Sequence, residues 1–104
     1  MSSPHLVVRK EENAAKNRTD LYLSGAATLI RLPLLAAELE KLKPSSHVHV
    51  HIDELDYMDH ACMDLMSNWD IQHATTGGSL KIEWDELSRK YHQRRGFKLR
   101  AAQA

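Results

Sequence analysis

The sequence predicts an α/β domain with a mixed four-stranded sheet in the order β-β-α-β-α-β-α and helices mainly on one face. Three observations carry that expectation. Val48, Val50 and Ile52 alternate with His47, His49 and His51, a period of two that describes a strand with one dry and one wet face. Two segments repeat apolar residues at three- and four-residue spacing, Leu32, Leu35, Leu39 and Leu42 and then Cys62, Leu65, Met66 and Trp69, as core-facing helices do. Ahead of both lie two strand-like runs with no helix between them.

Taken in order, Leu6-Val7-Val8 reads as the first strand, and the polar stretch Arg9 to Lys16 as a hairpin link. Leu21-Tyr22-Leu23 reads as the second strand, ending at Ser24-Gly25. Pro33 fits the first turn of the first helix, where its missing N–H costs nothing. Lys41 and Lys43 complement the end of that helix and Pro44 closes it, with Ala36, Glu38 and Lys41 toward water. After the histidine strand comes an acidic turn, in which Asp59 is placed to cap the second helix. Asp64, Asn68 and Gln72 form the polar side of that helix, and Gly77-Gly78 supplies its left-handed stop. Leu80, Ile82 and Trp84 make the fourth strand. Asp85 caps a third helix with Leu87 and Tyr91 as core contacts and Gly96 as its end. Each strand–helix–strand unit implies parallel strands and a right-handed crossover, while the opening pair is antiparallel. A strand buried on both faces would be apolar throughout, so the alternating histidines place the helices on one face.

A chain of 104 residues with 42% hydrophobic and 27% charged residues suits one domain with a single core, with its body at about 6–91 and a basic tail at 92–104. With 14 basic and 14 acidic residues, it lacks the basic excess of a nucleic-acid binder. The apolar stretch Leu21 to Leu42 is broken by Ser24, Gly25, Arg31, Pro33, Glu38 and Glu40, so it does not make a membrane span. Met1 to Leu6 lack the pattern of a signal peptide, and the lone Cys62 excludes an internal disulfide; both fit a soluble chain in a reducing compartment. Charge is segregated. Pro44 to Leu80 holds no Lys or Arg but six carboxylates, and after Glu86 come Arg89, Lys90, Arg94, Arg95, Lys98 and Arg100 with no acid. That tail reads either as a solvated end or as a docking element for an acidic partner, anionic lipid or the acidic middle of the chain.

Few residues point to catalysis. His47, His49 and His51 project to one face, roughly 6.8 Å apart in successive pairs, and two such imidazoles can chelate zinc. A catalytic site needs a third ligand, and neither His5 nor Asp53 has a defining spacing for it. Cys62 lies on an apolar stripe, where a thiol packs as a small hydrophobe. Asp53, Glu54, Asp56 and Asp59 form an acidic turn without an implied apolar pocket, and no Gly-x-Ser-x-Gly elbow or phosphate loop occurs. The expectation is a non-enzyme without cofactor. The more informative segment is Asp56-Tyr57-Met58-Asp59-His60-Ala61, because loops beyond strand ends are the binding edge of open α/β sheets.

From about Leu6 to Tyr91 the chain resembles a STAS domain, the family of anti-sigma-factor antagonists and of the cytoplasmic C-terminal domains of SulP-class anion transporters. The resemblance rests on Leu21-Tyr22-Leu23-Ser24-Gly25-Ala26, the amphipathic helix after it, the turn from Ile52 to Ala61, and Gly77-Gly78-Ser79-Leu80-Lys81-Ile82-Glu83-Trp84. It implies a mixed sheet and a regulatory partner-binding turn. Antagonists carry Asp-Ser or Asp-Thr there, and the hydroxyl is phosphorylated. Here Asp59 matches the aspartate but His60 stands in place of the hydroxyl, which resembles the transporter-attached type. The implied role is a regulatory domain on the cytoplasmic side of a sulfate or bicarbonate permease in the inner (plasma) membrane, contacting the transmembrane domain of the parent transporter or a cytosolic regulatory protein. The alternatives are a stand-alone signalling protein of the antagonist type, lacking the phosphorylatable serine, and a small zinc enzyme using the strand histidines. Weak nucleotide binding, known for some STAS domains, has no phosphate-cradling sequence here.

Overall fold

A computed structural model describes residues 5–82. Strand β1 (Leu6–Asn13) and strand β2 (Arg18–Ala27) form the antiparallel pair, followed by helix α1 (Leu32–Glu40), strand β3 (His47–Met58), helix α2 (His60–Ala74) and strand β4 (Ser79–Ile82). The sheet order is β1-β2-β3-β4, with β2, β3 and β4 parallel to one another. The mixed α/β architecture is as the sequence predicts. Glu83 to Ala104, and with them Trp84, the third helix and the basic tail, lie outside the described residues.

The sheet separates wet from dry. Thr19, Leu21 and Leu23 of β2, Val48, Val50 and Ile52 of β3, and Leu80 of β4 are buried with Leu35, Leu39 and Leu42 from and just beyond α1 and Cys62, Met63 and Met66 of α2. Both described helices therefore cover one face. The stripe on α2 is shifted from the expected one: Met63 and His73 are buried, whereas Leu65 and Trp69 are partly buried at its margin. On α1, Ala36 and Glu38 are half-buried and Lys41 is exposed.

Three boundaries differ from the expectation. The Arg9–Lys16 stretch is mostly strand, since β1 continues to Asn13 and the reversal needs only a short 3-10 turn, Ala14–Lys16, and Asn17 at φ 52°. β2 runs through Ser24-Gly25 to Ala27. Gly25 is required there, because at φ +86° an added Cβ would collide with the carbonyl of His5. The third difference moves the expected turn. Asp56, Tyr57 and Met58 belong to β3, and only Asp59 separates it from α2. From Tyr22 to Ser24, β2 advances two residues while β3 advances three, from His51 to Glu54. From Gly25 to Ala26 it advances one while β3 advances two, from Leu55 to Tyr57. Each extra residue is a bulge that resets which side chains face inward. Ile52, Leu55 and Met58 can therefore all be buried at a spacing of three, and a spacing of three disguised this strand as a turn.

Candidate functional site

The candidate edge is built where β2 and β3 end. The Asp59 backbone N–H donates to the Ala27 carbonyl (2.9 Å), which ties the residue between β3 and α2 to the end of β2. One carboxylate oxygen, Oδ1, then accepts the Cys62 backbone N–H (3.1 Å), the capping bond expected at a helix start. The other, Oδ2, accepts the Leu29 N–H (2.6 Å) across 30 residues of sequence. Asp59 thus fixes α2 and the β2–α1 loop to each other. It also fills the helix N-terminus with its own negative charge, so an external anion is not favoured there.

The six expected edge residues do not play equivalent parts. Met58 is fully buried and belongs to the core, which corrects its place among contact residues. Asp56 and Tyr57 are exposed, and His60 and Ala61, the first residues of α2, are half-buried. The loop pinned by Asp59 adds two residues that sequence reasoning passed over: Leu29 is 62% and Ile30 82% exposed. Their signal was an apolar pair out of phase with the Leu32–Leu42 stripe. An exposed aliphatic pair on an anchored loop is the kind of surface that a partner protein covers.

Cys62 is buried beneath this edge, and its thiol donates to the Thr28 carbonyl (3.4 Å). Burial, and then the neighbouring Asp59 charge, push its pKa up to about 12. A thiol so held stays protonated at neutral pH and is a poor nucleophile.

The strand histidines share the open face, as the period of two requires, but they sit in a network of their own. Arg9, Tyr22 and His51 are aligned across β1, β2 and β3. The Arg9 guanidinium lies 4.1 Å from the Tyr22 ring centroid, and Tyr22 stacks on His51 at 4.4 Å and 10°. His51 Nε2 donates to Asp20 Oδ1 (2.7 Å), and Arg18 donates to both oxygens of Asp20 at 3.0 and 3.2 Å. The Arg18 hydrogen bond, and then that of His51, hold the Asp20 pKa down to about 2. His47 Nδ1 is 2.9 Å from Ser79 Oγ. Burial, and then the Arg18 charge, keep His49 toward its neutral form. Among the described residues, no three His, Cys, Asp or Glu side chains are grouped to hold a metal ion.

His73, also missed from sequence, is buried on α2 and its Nε2 donates to the Ser46 carbonyl (2.7 Å). A groove of about 140 Å³ beside it is lined by Leu42, Pro44, Trp69, Gln72, His73 and Thr76. That is below the roughly 300 Å³ at which small-molecule pockets begin.

No protein-family model matches the chain, and no curated protein matches it. A solved structure described as "Crystal Structure Analysis of Mglu" is similar in fold, with a TM-score of 0.60 at 18% sequence identity. The match covers 74% of this chain and 19% of that one, so this chain corresponds to about a fifth of the larger protein. Likeness at that identity supports the α/β fold. Among the described residues, no helix is long and apolar enough to cross a membrane.

Proposed function

We propose that this chain is a STAS-type regulatory domain of a SulP-class anion transporter, acting on the cytoplasmic side by protein contact rather than catalysis. The observation that carries the reading is the exposed Leu29-Ile30 pair, held beside the Asp59-His60 helix start by the two hydrogen bonds of the Asp59 carboxylate. Asp59 supplies rigidity, and the apolar pair supplies contact area. His60 at the first helical position offers no hydroxyl for a phosphoryl group, so regulation at this edge proceeds without that modification.

The parent transporter's transmembrane domain or a cytosolic regulatory protein is the partner this reading names. DNA encoding a multi-span hydrophobic region in frame and immediately 5′ of this segment is the expected context. A stop codon and an independent start flanking it would instead favour a stand-alone signalling protein. In the intact protein, Leu29→Asp and Ile30→Asp should disturb regulation while leaving the melting temperature of the isolated domain unchanged. Normal regulation in both variants would remove the edge from the mechanism.

A further inference from the structure

Strand β1 closes one side of the sheet. It pairs with β2 over all eight residues from Leu6 to Asn13, without a register shift, and no described strand lies against its other edge. Such an edge presents a row of backbone donors and acceptors to any strand that approaches. Proline and bulges, two common devices for blocking it, do not occur between Leu6 and Asn13.

Its charges have a definite order. Arg9 and Lys10 are followed by Glu11 and Glu12, and all four are exposed. Because side chains alternate, each face of the strand carries one cation and one anion two residues apart: Arg9 with Glu11 on the open face, Lys10 with Glu12 on the helix face. Arg9 pairs with Glu11 within the strand, and Lys10 lies 3.8 Å from Glu12. A strand reading plus-plus-minus-minus is complementary to itself when reversed. A two-fold axis normal to the sheet keeps the helices of both copies on the same side, so only residues on the same face meet. With Lys10 on the axis, Arg9 of each copy stands opposite Glu11 of the other. With Glu11 on the axis, Lys10 stands opposite Glu12. Either register closes one face into a square of alternating charges; its two opposite-charge pairs across the strands outnumber the single like-charge pair that the on-axis residue makes with its own copy on the other face.

From this we infer that β1 is a self-association edge: two copies of the chain pair antiparallel through Leu6–Asn13 and join the four described strands of each into one continuous sheet. The inference is independent of the transporter reading. An edge contact alone buries less than a standard interface, so the dimer is weak and salt-sensitive.

Sedimentation equilibrium of the 104-residue chain from roughly 10 μM to 1 mM, at low and high salt, is the test. The wild type should move toward dimer with concentration and lose that tendency in salt. Arg9→Glu/Lys10→Glu and Glu11→Lys/Glu12→Lys should each weaken self-association on the order of tenfold or more, because several cross-strand attractions become repulsions. An equimolar mixture of the two should associate more strongly than either alone. Glu11→Lys/Glu12→Lys leaves Arg9 and Tyr22 themselves unchanged and turns attraction into repulsion in either register, so it repeats the test without altering either residue of that stacked pair. A wild type that stays monomeric throughout overturns the inference. So do folded variants that self-associate as strongly as the wild type, or a mixture that gains nothing over its components.

Discussion

Replacing Asp59 by Ala removes two hydrogen bonds that are separable in space and in cost. Loss of the cap on Cys62 N–H costs about 1 kcal/mol by comparison with other helix starts. The 2.6 Å bond to Leu29 N–H has an ionised acceptor, and such bonds contribute about 1.5–3 kcal/mol, the lower end applying where water competes. Asp59 is only half-buried, so the sum is about 2–3 kcal/mol, a large part of the roughly 5–15 kcal/mol that holds a domain of this size folded. Asp59→Asn keeps one acceptor oxygen and loses the other, which predicts a cost of about 1 kcal/mol. Urea unfolding followed by far-UV circular dichroism measures both, provided the slope of the transition is unchanged. The loop should respond as well as the helix, so amide exchange at Leu29 should accelerate in Asp59→Ala. A loss below about 0.5 kcal/mol for Asp59→Ala, within the range of ordinary surface substitutions, would refute the double anchor.

The remaining predictions concern the open face and the core. Asp20 has a depressed carboxyl pKa, so its stabilising contribution is complete above the ordinary carboxylate pKa near 4 and is lost as pH falls through about 2. Asp20→Asn should flatten the fall in stability across that window, and an acid limb identical to wild type in a pH series of urea midpoints would contradict the Arg18–Asp20–His51 arrangement. Cys62 should react with thiol reagents at about pH 8 on the order of a hundredfold more slowly in the native protein than in denaturant, because burial and the adjacent Asp59 keep it protonated. Fast native labelling would show that α2 opens at its first turn. His73→Ala should cost about 2–4 kcal/mol, combining an interior cavity with loss of one of the two hydrogen bonds that the Ser46 carbonyl accepts, the other coming from the Ser79 N–H. Gly78→Ala should damage the same contact, since a Cβ there would strike the Ser46 carbonyl and the His73 ring; equal thermal midpoints for wild type and both variants would exclude a stabilising His73–Ser46 hydrogen bond.

Much of the architecture was legible because it is written in short periods. The alternation from His47 to Ile52 gave one strand its two faces, and the open face does hold His47, His49 and His51. The Leu35–Leu39–Leu42 stripe and Pro33 located α1, and Asp59 was recognisable as a cap from its place before the second helix. Each of these signals lies within one element, where side-chain direction follows from backbone geometry alone.

The candidate edge was only partly legible, and Asp59 and His60 show why. Sequence places them between a strand and a helix and identifies the missing hydroxyl, and that much the chain determines by itself. It does not show that β3 continues through Asp56-Tyr57-Met58, because two bulges set by pairing with β2 decide which residues turn inward. Nor does it show that the second Asp59 oxygen holds Leu29, 30 residues away, or that His73 reaches Ser46 across 27. Those contacts depend on strand register and helix packing, which bring distant segments to within hydrogen-bond distance. The periodicity of a single element carries no information about them, so only the tertiary structure decided that a capping aspartate also anchors an exposed apolar loop.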